Sequence, residues 1–291
     1  MSGFSTRWLQ LRGPADAAAR DQALLQRLVE QADGAPQRII DLGCGLGASV
    51  AALAPRLGQE QRWLLVDHDP ALLAAVPEHL SRWAAGLGAQ AARRPGRLVL
   101  RGRAWSARVE TAELDLAGPD WPAALDGASL VTGSALLDLV SRPWLERLVE
   151  TAGARTSFWF PLNADGRIAM DPVDAADGLV LGLFARHHQS DKGFGPALGA
   201  GATNLAADLF RAVGRQALVG DSPWRLGPPD GDLLVALLQG HAAAAAALAT
   251  AAEEVEVAAW LDRRLAAVAE GRLRVLIGHQ DLLIPAARGA G

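Results

Sequence analysis

Residues 38–50 read RIIDLGCGLGASV, and this stretch decides the fold class of the chain. An apolar run, 37–42, ends at three glycines in alternate positions, and residues 48–57 continue with apolar side chains at helical spacing. The pattern predicts a strand, a glycine-rich turn and a helix. Glycines at such a turn let the backbone approach a ligand closely, because a residue without a Cβ adopts the required angles at little cost. We therefore expect a ligand at residues 43–47.

Strands and helices alternate along the following hundred residues. The predicted strands are 62–69, two between 96 and 117, one ending near Thr132, and 155–162; the predicted helices are 70–87, capped by Asp69, and 142–152. This alternation predicts an α/β fold, a Rossmann-like, doubly wound, mostly parallel sheet with helices on both faces. In such sheets the ligand lies beyond the carboxyl ends of the strands where strand order reverses, and the glycine loop is expected there.

The whole chain, 1–291, is predicted to be a single domain with additions to this sheet. Residues 1–34 are expected to be helical, and residues 163–202 to form a loop-rich insertion on the substrate side. A helix at 203–214 and a strand at 215–220 follow. Residues 228–271 are predicted to add alanine-rich helices before a last strand at 272–284, since alanine is the best helix former.

Composition excludes several classes of protein. No apolar run approaches the roughly 18 to 20 residues that cross a bilayer, and the N-terminus lacks the apolar block of a secretion signal, so we expect a cytoplasmic protein without membrane contact. A single cysteine excludes an internal disulfide and a multi-thiolate metal site, and no metal is expected. The net charge is −4 and the arginines are scattered along the sequence, which argues against a nucleic-acid partner. A small-molecule acceptor is favoured, and a homodimer is allowed.

Two ligands fit a glycine loop of this kind, a dinucleotide and S-adenosylmethionine (SAM). Asp41 lies two residues before Gly43 and would repel the pyrophosphate that a dinucleotide places at the helix N-terminus. SAM carries no phosphate, and its sulfonium and ammonium groups are attracted by a carboxylate. Asp67, at the end of the second strand, can accept the ribose hydroxyls of either ligand. SAM is therefore favoured, with an NAD-dependent oxidoreductase and a SAM-binding regulatory protein without turnover as the alternatives.

Four segments, taken together, resemble the class I SAM-dependent methyltransferases that act on small molecules. DLGCGLG (41–47) is similar to their first motif, LLVDHD (64–69) to the acidic second motif, ELDL (113–116) to the adenine-contacting segment, and VTGSALLDLV (131–140) to the loop after the fourth strand. The resemblance implies SAM as the cofactor. It implies a cofactor site made of Asp41, Gly43, Gly45, Gly47, Asp67, His68, Asp115, Leu116 and Ser134.

The loop after the fourth predicted strand reads TGSALLDLV, where nucleic-acid methyltransferases of this class commonly carry Asn-Pro-Pro-Tyr or a similar motif. This departure argues against methylation of DNA bases and favours a small polar acceptor. The implied reaction is an in-line methyl transfer, to which the protein contributes alignment and dry surroundings. An acceptor with a high pKa would need a general base, for which His187, His188 and Asp138 are the candidates. Asp138 is interpreted either in this way or as a cap of the following helix.

Arg12, Asp16 and Arg20 are spaced by four and therefore share one face of a predicted N-terminal helix. They form either an intrahelical salt-bridge ladder or a substrate-binding wall. The resemblance favours the second interpretation, because N-terminal helices of this family often cover SAM and acceptor. Residues 1–34 are accordingly predicted to be a helical lid.

Residues 185–199, ARHHQSDKGFGPALG, show neither helical nor strand periodicity and are expected to form a loop at the acceptor site. Lys192 is the only lysine among 28 basic residues, and arginine cannot replace a compact ammonium at a close-fitting site. Asp191, Lys192 and Phe194 are therefore predicted to bind the acceptor, with chance survival of one lysine as the alternative. A metal cluster of His187, His188 and Asp191 is the less favoured hypothesis, because adjacent histidines rarely point the same way.

Overall fold

The computed structural model describes residues 5–32, 34–58 and 60–287, so residues 1–4 and 33 of the predicted lid lie outside the described residues. The helices are α1 (Thr6–Ala19), α2 (Gln22–Ala32), α3 (Ala48–Leu53), α4 (Pro70–Gly86), α5 (Trp121–Ala124), α6 (Arg142–Thr151), α7 (Asp177–His188), α8 (Ala202–Ala212), α9 (Gly231–Ala246) and α10 (Ala251–Ala269). The strands are β1 (Gln37–Leu42), β2 (Gln61–Asp67), β3 (Gln90–Arg94), β4 (Arg97–Arg101), β5 (Ser106–Glu113), β6 (Leu130–Thr132), β7 (Ser157–Asp171), β8 (Leu218–Asp221), β9 (Trp224–Leu226) and β10 (Arg274–Ile284).

All ten of these strands belong to one sheet, in the order β3-β4-β5-β2-β1-β6-β7-β10-β8, with β9 paired to β10. The five central strands β5, β2, β1, β6 and β7 run parallel, whereas β10 is antiparallel to β7, β8 and β9. The chain leaves β1 towards β2 on one side and returns to β6 on the other. Strand order thus reverses at the carboxyl end of β1, where the glycine loop begins.

Helices cover both faces of the sheet because neighbouring strand residues point to opposite sides. Ile40 faces a core that includes Leu145 of α6 and Phe210 of α8, while Ile39 faces a core with Val50 of α3 and residues of α2 and α4. A third core lies under the first half of β10, where α7, α9 and α10 pack together around a fully buried Trp260. The predicted Rossmann-like, mostly parallel α/β fold is confirmed.

The prediction of a loop-rich segment at 163–202 is wrong for much of its length. Strand β7 continues from Ser157 to Asp171 and pairs with β10 between Phe158 and Asp171, with two register shifts, and α7 occupies Asp177–His188. The second half of β7 was not predicted as a strand, because its polar residues do not give an alternating apolar pattern. The amide of Asn163, which is fully buried, donates to the Phe160 and Gln280 carbonyls and accepts from the Leu137 N–H. The backbone ladder with β10 stabilises this region in place of an apolar pattern.

The sequence interpretation also missed edge strand β3. Its five residues are exposed or half-buried, so it has no buried face and gave no alternating signal. None of the helices in the described ranges is both long and apolar enough to span a membrane.

Candidate functional site

The glycine loop is held by hydrogen bonds from its own backbone. Gly43 and Gly45 have φ of +63° and +52°, in the left-handed region that favours glycine. The Cys44 N–H donates to the Val66 carbonyl (3.0 Å), the Gly47 N–H to the Cys44 carbonyl (2.8 Å), and the Gly45 N–H to Asp67 Oδ2 (2.9 Å). Three amide donors of this turn are therefore satisfied within the protein.

Gly47 is the glycine of the loop that faces helix α4. A Cβ added there would lie 3.2 Å from a methyl carbon of Leu80 and 3.4 Å from one of Leu65. The absence of a side chain at Gly47 thus allows α4 to pack on the loop, and Gly47 does not line the cleft described below.

Asp41, the last polar residue of β1, is buried beneath the loop. Its Oδ1 accepts a hydrogen bond from Ser49 Oγ at 2.8 Å, while Oδ2 has no partner among the described residues. Burial raises the pKa of Asp41 to about 7, although the Ser49 hydrogen bond and the charge of Arg20 lower it. A buried carboxylate oxygen without a partner costs free energy, and a donor supplied by a ligand would remove that cost.

A cleft of about 460 Å³ separates α1 from the glycine loop. Seven of the predicted site residues line it: Arg12, Asp16, Arg20, Asp41, Gly43, Gly45 and Ser134. Other lining residues, not predicted from the sequence, include Leu9, Ser49, Arg56, His79 and Trp83. The cleft thus lies at the point of strand reversal, with one wall made of sheet ends and the other of α1.

Arg20 brings a buried positive charge to this cleft. The residue is 4% exposed, its guanidinium lies 5.9 Å from the centre of the Trp159 ring, and Nε and Nη2 have no partner among the described residues. Burial lowers the pKa of Arg20, against the opposing charge of Asp16. Asp281 of β10 accepts from the Asp21 N–H at 2.9 Å and so fixes the chain directly after Arg20.

Arg12 and Asp16 anchor α1 to the sheet. Arg12 forms two hydrogen bonds with Asp16 (2.9 and 3.2 Å), and the Trp224 indole Nε1–H donates to Asp16 Oδ1 at 3.0 Å. The Arg12 guanidinium lies 5.1 Å from the Trp224 ring centre. The intrahelical ion pair exists, and both side chains also line the cleft, so the two interpretations of this spacing are compatible.

The remaining predicted cofactor residues lie at neighbouring strand ends and do not line the cleft. Asp67 accepts from the Gly45 and Asp69 N–H groups, and the exposed His68 lies 3.4 Å from it. Asp115 accepts from the Ala117 N–H. Leu116 is buried in the core, where its carbonyl accepts from the Trp144 indole. Only Asp67 among these four contacts the glycine loop directly.

Asp138 and His188 form a pair although they are fifty residues apart in the chain. His188 Nε2 lies 3.2 Å from Asp138 Oδ2, and Asp138 is buried with its other carboxylate oxygen unpartnered among the described residues. His188 stacks on Phe184, which packs on the buried His241. His187 is not part of this cluster; burial lowers its pKa, with a further contribution from Lys192. None of these groups lines the cleft.

In the predicted acceptor loop, Asp191 and Lys192 contact residues of the same segment, whereas Phe194 contacts α6. Residues 185–188 are the last turn of α7, so the prediction that they lack helical structure is wrong. Lys192 Nζ donates to the His187 carbonyl and Ser190 Oγ, both at 2.9 Å, and thereby caps α7. Asp191 accepts from the Gly193 and Gly195 N–H groups, and Phe194 packs edge-on against Trp144. The three side chains do not line the cleft, and acceptor binding by them remains a prediction.

Two buried histidines do not line the cleft. His241 and His279 are both buried, and burial lowers the pKa of each to about 4. His279 lies against the Trp224 ring, at 5.0 Å between ring centres. The contact of Trp224 with α1 could not be predicted from the sequence, because residue spacing does not reveal where α1 docks.

No family model matches the chain, and no curated protein matches its sequence. Among solved structures, the chain is similar to a protein from Anaeromyxobacter dehalogenans that is assigned as a type II methyltransferase, with 18% identity, 93% of this chain and 97% of that chain covered, and a TM-score of 0.48. A cyclopropane-fatty-acyl-phospholipid synthase-like protein from Lactobacillus casei is 14% identical over 94% and 98% of the two chains, with a TM-score of 0.46. The cyclopropane synthase MmaA2 from Mycobacterium tuberculosis is 11% identical over 97% and 94%, with a TM-score of 0.46.

The strands that carry the site are the central parallel ones, and the glycine loop follows β1 at the reversal of strand order. By its strand order and the position of its glycine loop, the chain has the doubly wound, mostly parallel sheet that the resemblance to class I SAM-dependent methyltransferases implies.

Proposed function

We propose that the chain binds SAM in the cleft and transfers its methyl group to a small polar molecule. The observation that carries the proposal is a pair of buried, oppositely charged groups with unpartnered atoms, Asp41 Oδ2 and Arg20 Nε and Nη2, in one cleft. The amino-acid end of SAM carries an ammonium and a carboxylate. We assign the ammonium to Asp41 and the carboxylate to Arg20, because each buried group then gains a charged hydrogen-bond partner.

The same loop disfavours a dinucleotide. A pyrophosphate needs free N–H groups at a strand-to-helix turn, and here the N–H groups of Cys44, Gly45 and Gly47 bind protein acceptors. The carboxylates of Asp41 and Asp67 lie under and beside this turn and would repel phosphate. These contacts favour SAM over the NAD-dependent alternative.

SAM carries its methyl group on a sulfonium sulfur. When the methyl group is transferred, this sulfur leaves as a neutral thioether. The chain's contribution is to hold donor and acceptor in line and to exclude water, for which α1 covers the cleft as a lid. His188 is proposed to accept the acceptor's proton at Nδ1, because its Nε2 faces Asp138, which holds the ring in that orientation. Ser134, on the cleft wall, belongs to the same segment as Asp138 and precedes it by four residues.

Calorimetry with S-adenosylhomocysteine (SAH) tests the binding step. We expect saturable binding of SAH and no heat with NAD or NADH. Arg20→Gln should weaken SAH binding by at least about tenfold, since a charge-assisted hydrogen bond contributes roughly 1.5 to 3 kcal/mol. Arg215→Gln is the matched control, a partly buried arginine that contacts the Gly153, Thr156 and Pro285 carbonyls far from the cleft. Binding of NADH instead of SAH would reverse the choice of cofactor.

Transfer of a labelled methyl group from SAM to a metabolite extract tests turnover, and its absence in the presence of tight SAH binding would favour a regulatory protein. With a substrate in hand, His188→Gln should lower turnover by about 10² to 10⁴-fold and leave SAH affinity unchanged. His187→Gln is the matched control, because this neighbouring histidine has no carboxylate partner among the described residues. Equal losses in the two variants would contradict the role of the Asp138–His188 pair.

A further inference from the structure

Sheet pairing brings together arginines that are far apart in the sequence. Arg38 of β1 lies directly opposite Arg62 of β2, and Arg62 lies directly opposite Arg108 of β5. Residues opposite one another in a sheet point to the same face, and neighbouring strands are about 4.8 Å apart. The three arginines therefore form a ladder across three strands, near the amino ends of the strands and away from the cleft.

The ladder continues onto the next two strands. Val99 of β4 lies opposite Arg108, and Arg97 and Arg101, two residues to either side of Val99, share its face. Arg94 of β3 lies opposite Arg97. Six exposed arginines thus share one face of the sheet, and we call this surface the arginine face: Arg38, Arg62, Arg94, Arg97, Arg101 and Arg108.

Little in the described residues neutralises this surface. Ion pairs are formed elsewhere by arginines such as Arg12 and Arg263, but none of the six forms one within the described ranges. Arg38 donates through Nε to the Asp126 carbonyl, and Glu110 is the one acidic residue that the strands β1 to β5 place on this face. Without the six arginines, the remaining 22 basic and 32 acidic residues give the rest of the chain a formal charge of −10.

Like charges directly opposite one another destabilise a sheet. Charged side chains on the edge strand β3 also prevent strands of other molecules from adding there, but this explains Arg94 and not the row at Arg38, Arg62 and Arg108, which lies on interior strands. An unfavourable charge row in the interior of a sheet is expected where a ligand of opposite charge neutralises it.

We infer that the arginine face is a docking surface for a short acidic segment of a partner protein. The planar guanidinium group binds carboxylates through two hydrogen bonds. The surface measures about 19 Å across its five strands and about 13 Å from Arg97 to Arg101 along β4, and a longer polyanion would extend over the acidic remainder of the chain. Strands β1 to β5 place no aromatic ring on this face, whereas binding of single-stranded nucleic acid relies on base stacking.

Fluorescence anisotropy with a labelled oligoglutamate peptide tests the docking surface. The full chain should bind the peptide at low ionic strength, with affinity that falls as salt is added. The triple variant Arg62→Gln, Arg101→Gln, Arg108→Gln should lose at least about tenfold in affinity. The matched control is Arg27→Gln, Arg155→Gln, Arg225→Gln, which removes the same charge from three exposed arginines on other elements and should bind the peptide like the wild type.

Unfolding by urea independently tests the charge repulsion within the arginine face. The triple variant of the arginine face should unfold at a higher urea concentration than the wild type, because repulsion within the ladder is removed, while the control triple should not. SAH binding should be unchanged in both. Equal loss of peptide affinity in the two triples, tighter binding of a single-stranded or duplex oligonucleotide than of oligoglutamate, or no peptide binding by the wild type would each overturn the inference.

Discussion

Asp41 is the residue on which the choice of cofactor depends. Its position before the glycine loop is plain in the sequence, but its burial, its hydrogen bond from Ser49 and its unpartnered Oδ2 are properties of the fold. The spacing of residues in α1 also predicted that Arg20 faces a ligand, and that ligand was expected to be the acceptor. In the structure Arg20 lies in the same cleft as Asp41, beside the glycine loop, and we propose that it binds the cofactor.

A pH dependence of cofactor binding follows from the raised pKa of Asp41. The ionised carboxylate attracts the ammonium of SAM, and with a pKa of about 7 this form is lost as pH falls through neutrality. SAH affinity should therefore rise between pH 6 and pH 8, measured by calorimetry. Asp41→Asn should bind more weakly at pH 8 and show a nearly flat profile over this range. A wild-type profile as flat as that of the variant would contradict the contact between Asp41 and the ammonium.

Helix α1 is the element that closes the cleft. It is fixed to the sheet by Asp16, whose carboxylate binds both Arg12 and the Trp224 indole. The contact between Asp16 and Trp224 joins residues 208 positions apart, which explains why spacing within the helix predicted its face but not its docking site.

Trp224→Phe should loosen α1, because it retains an aromatic ring beside Arg12 but removes the donor to Asp16, with a loss of about 1 to 3 kcal/mol for a buried acceptor left without its partner. We expect faster cleavage of α1 by trypsin and protection when SAH is added. Trp260→Phe, which loses an indole donor to Asp177 on another part of the molecule, is the control. Unchanged cleavage in Trp224→Phe would show that Asp16 does not hold the helix.

The elements differ in how well the sequence reveals them. Strands β1 and β2 and helices α4 and α6 carry apolar residues at the expected period. The two helices also begin at clear caps, Asp69 and Ser141. The second half of β7 could not be predicted, because its ladder with β10 is made by the backbone and its buried polar residue is satisfied by distant groups. The pairing of Asp138 with His188 was likewise beyond prediction, since it depends on where α7 packs. Helix α7 was missed because polar and charged residues follow its apolar first turns.

The free energy of unfolding should depend on pH through buried groups that have opposite effects. His241 and His279 have pKa values lowered to about 4 by burial, so the unfolded chain binds protons at these sites more readily than the folded one. Acidification from pH 6.5 to 4 should therefore lower the free energy of unfolding, by roughly 3 kcal/mol per histidine at about 1.4 kcal/mol per pKa unit. Asp41 acts in the opposite sense, because its raised pKa means that ionisation disfavours the folded state as pH rises from 3.8 to about 7.

Urea unfolding at a series of pH values separates these contributions. His241→Asn should lose less stability than the wild type between pH 6.5 and 4, and Asp41→Asn should lose more. Profiles of both variants that run parallel to the wild type would show that neither group titrates with the pKa given by its burial.

At the scale of the whole molecule, the cleft between α1 and the glycine loop should hold the amino-acid end of the cofactor. A crystal structure of the protein with SAH tests this most directly. We predict that the ammonium of SAH lies within hydrogen-bonding distance of Asp41 Oδ2, and that its carboxylate accepts from Nε and Nη2 of Arg20. SAH bound elsewhere, or bound with Asp41 and Arg20 still without ligand partners, would contradict the account.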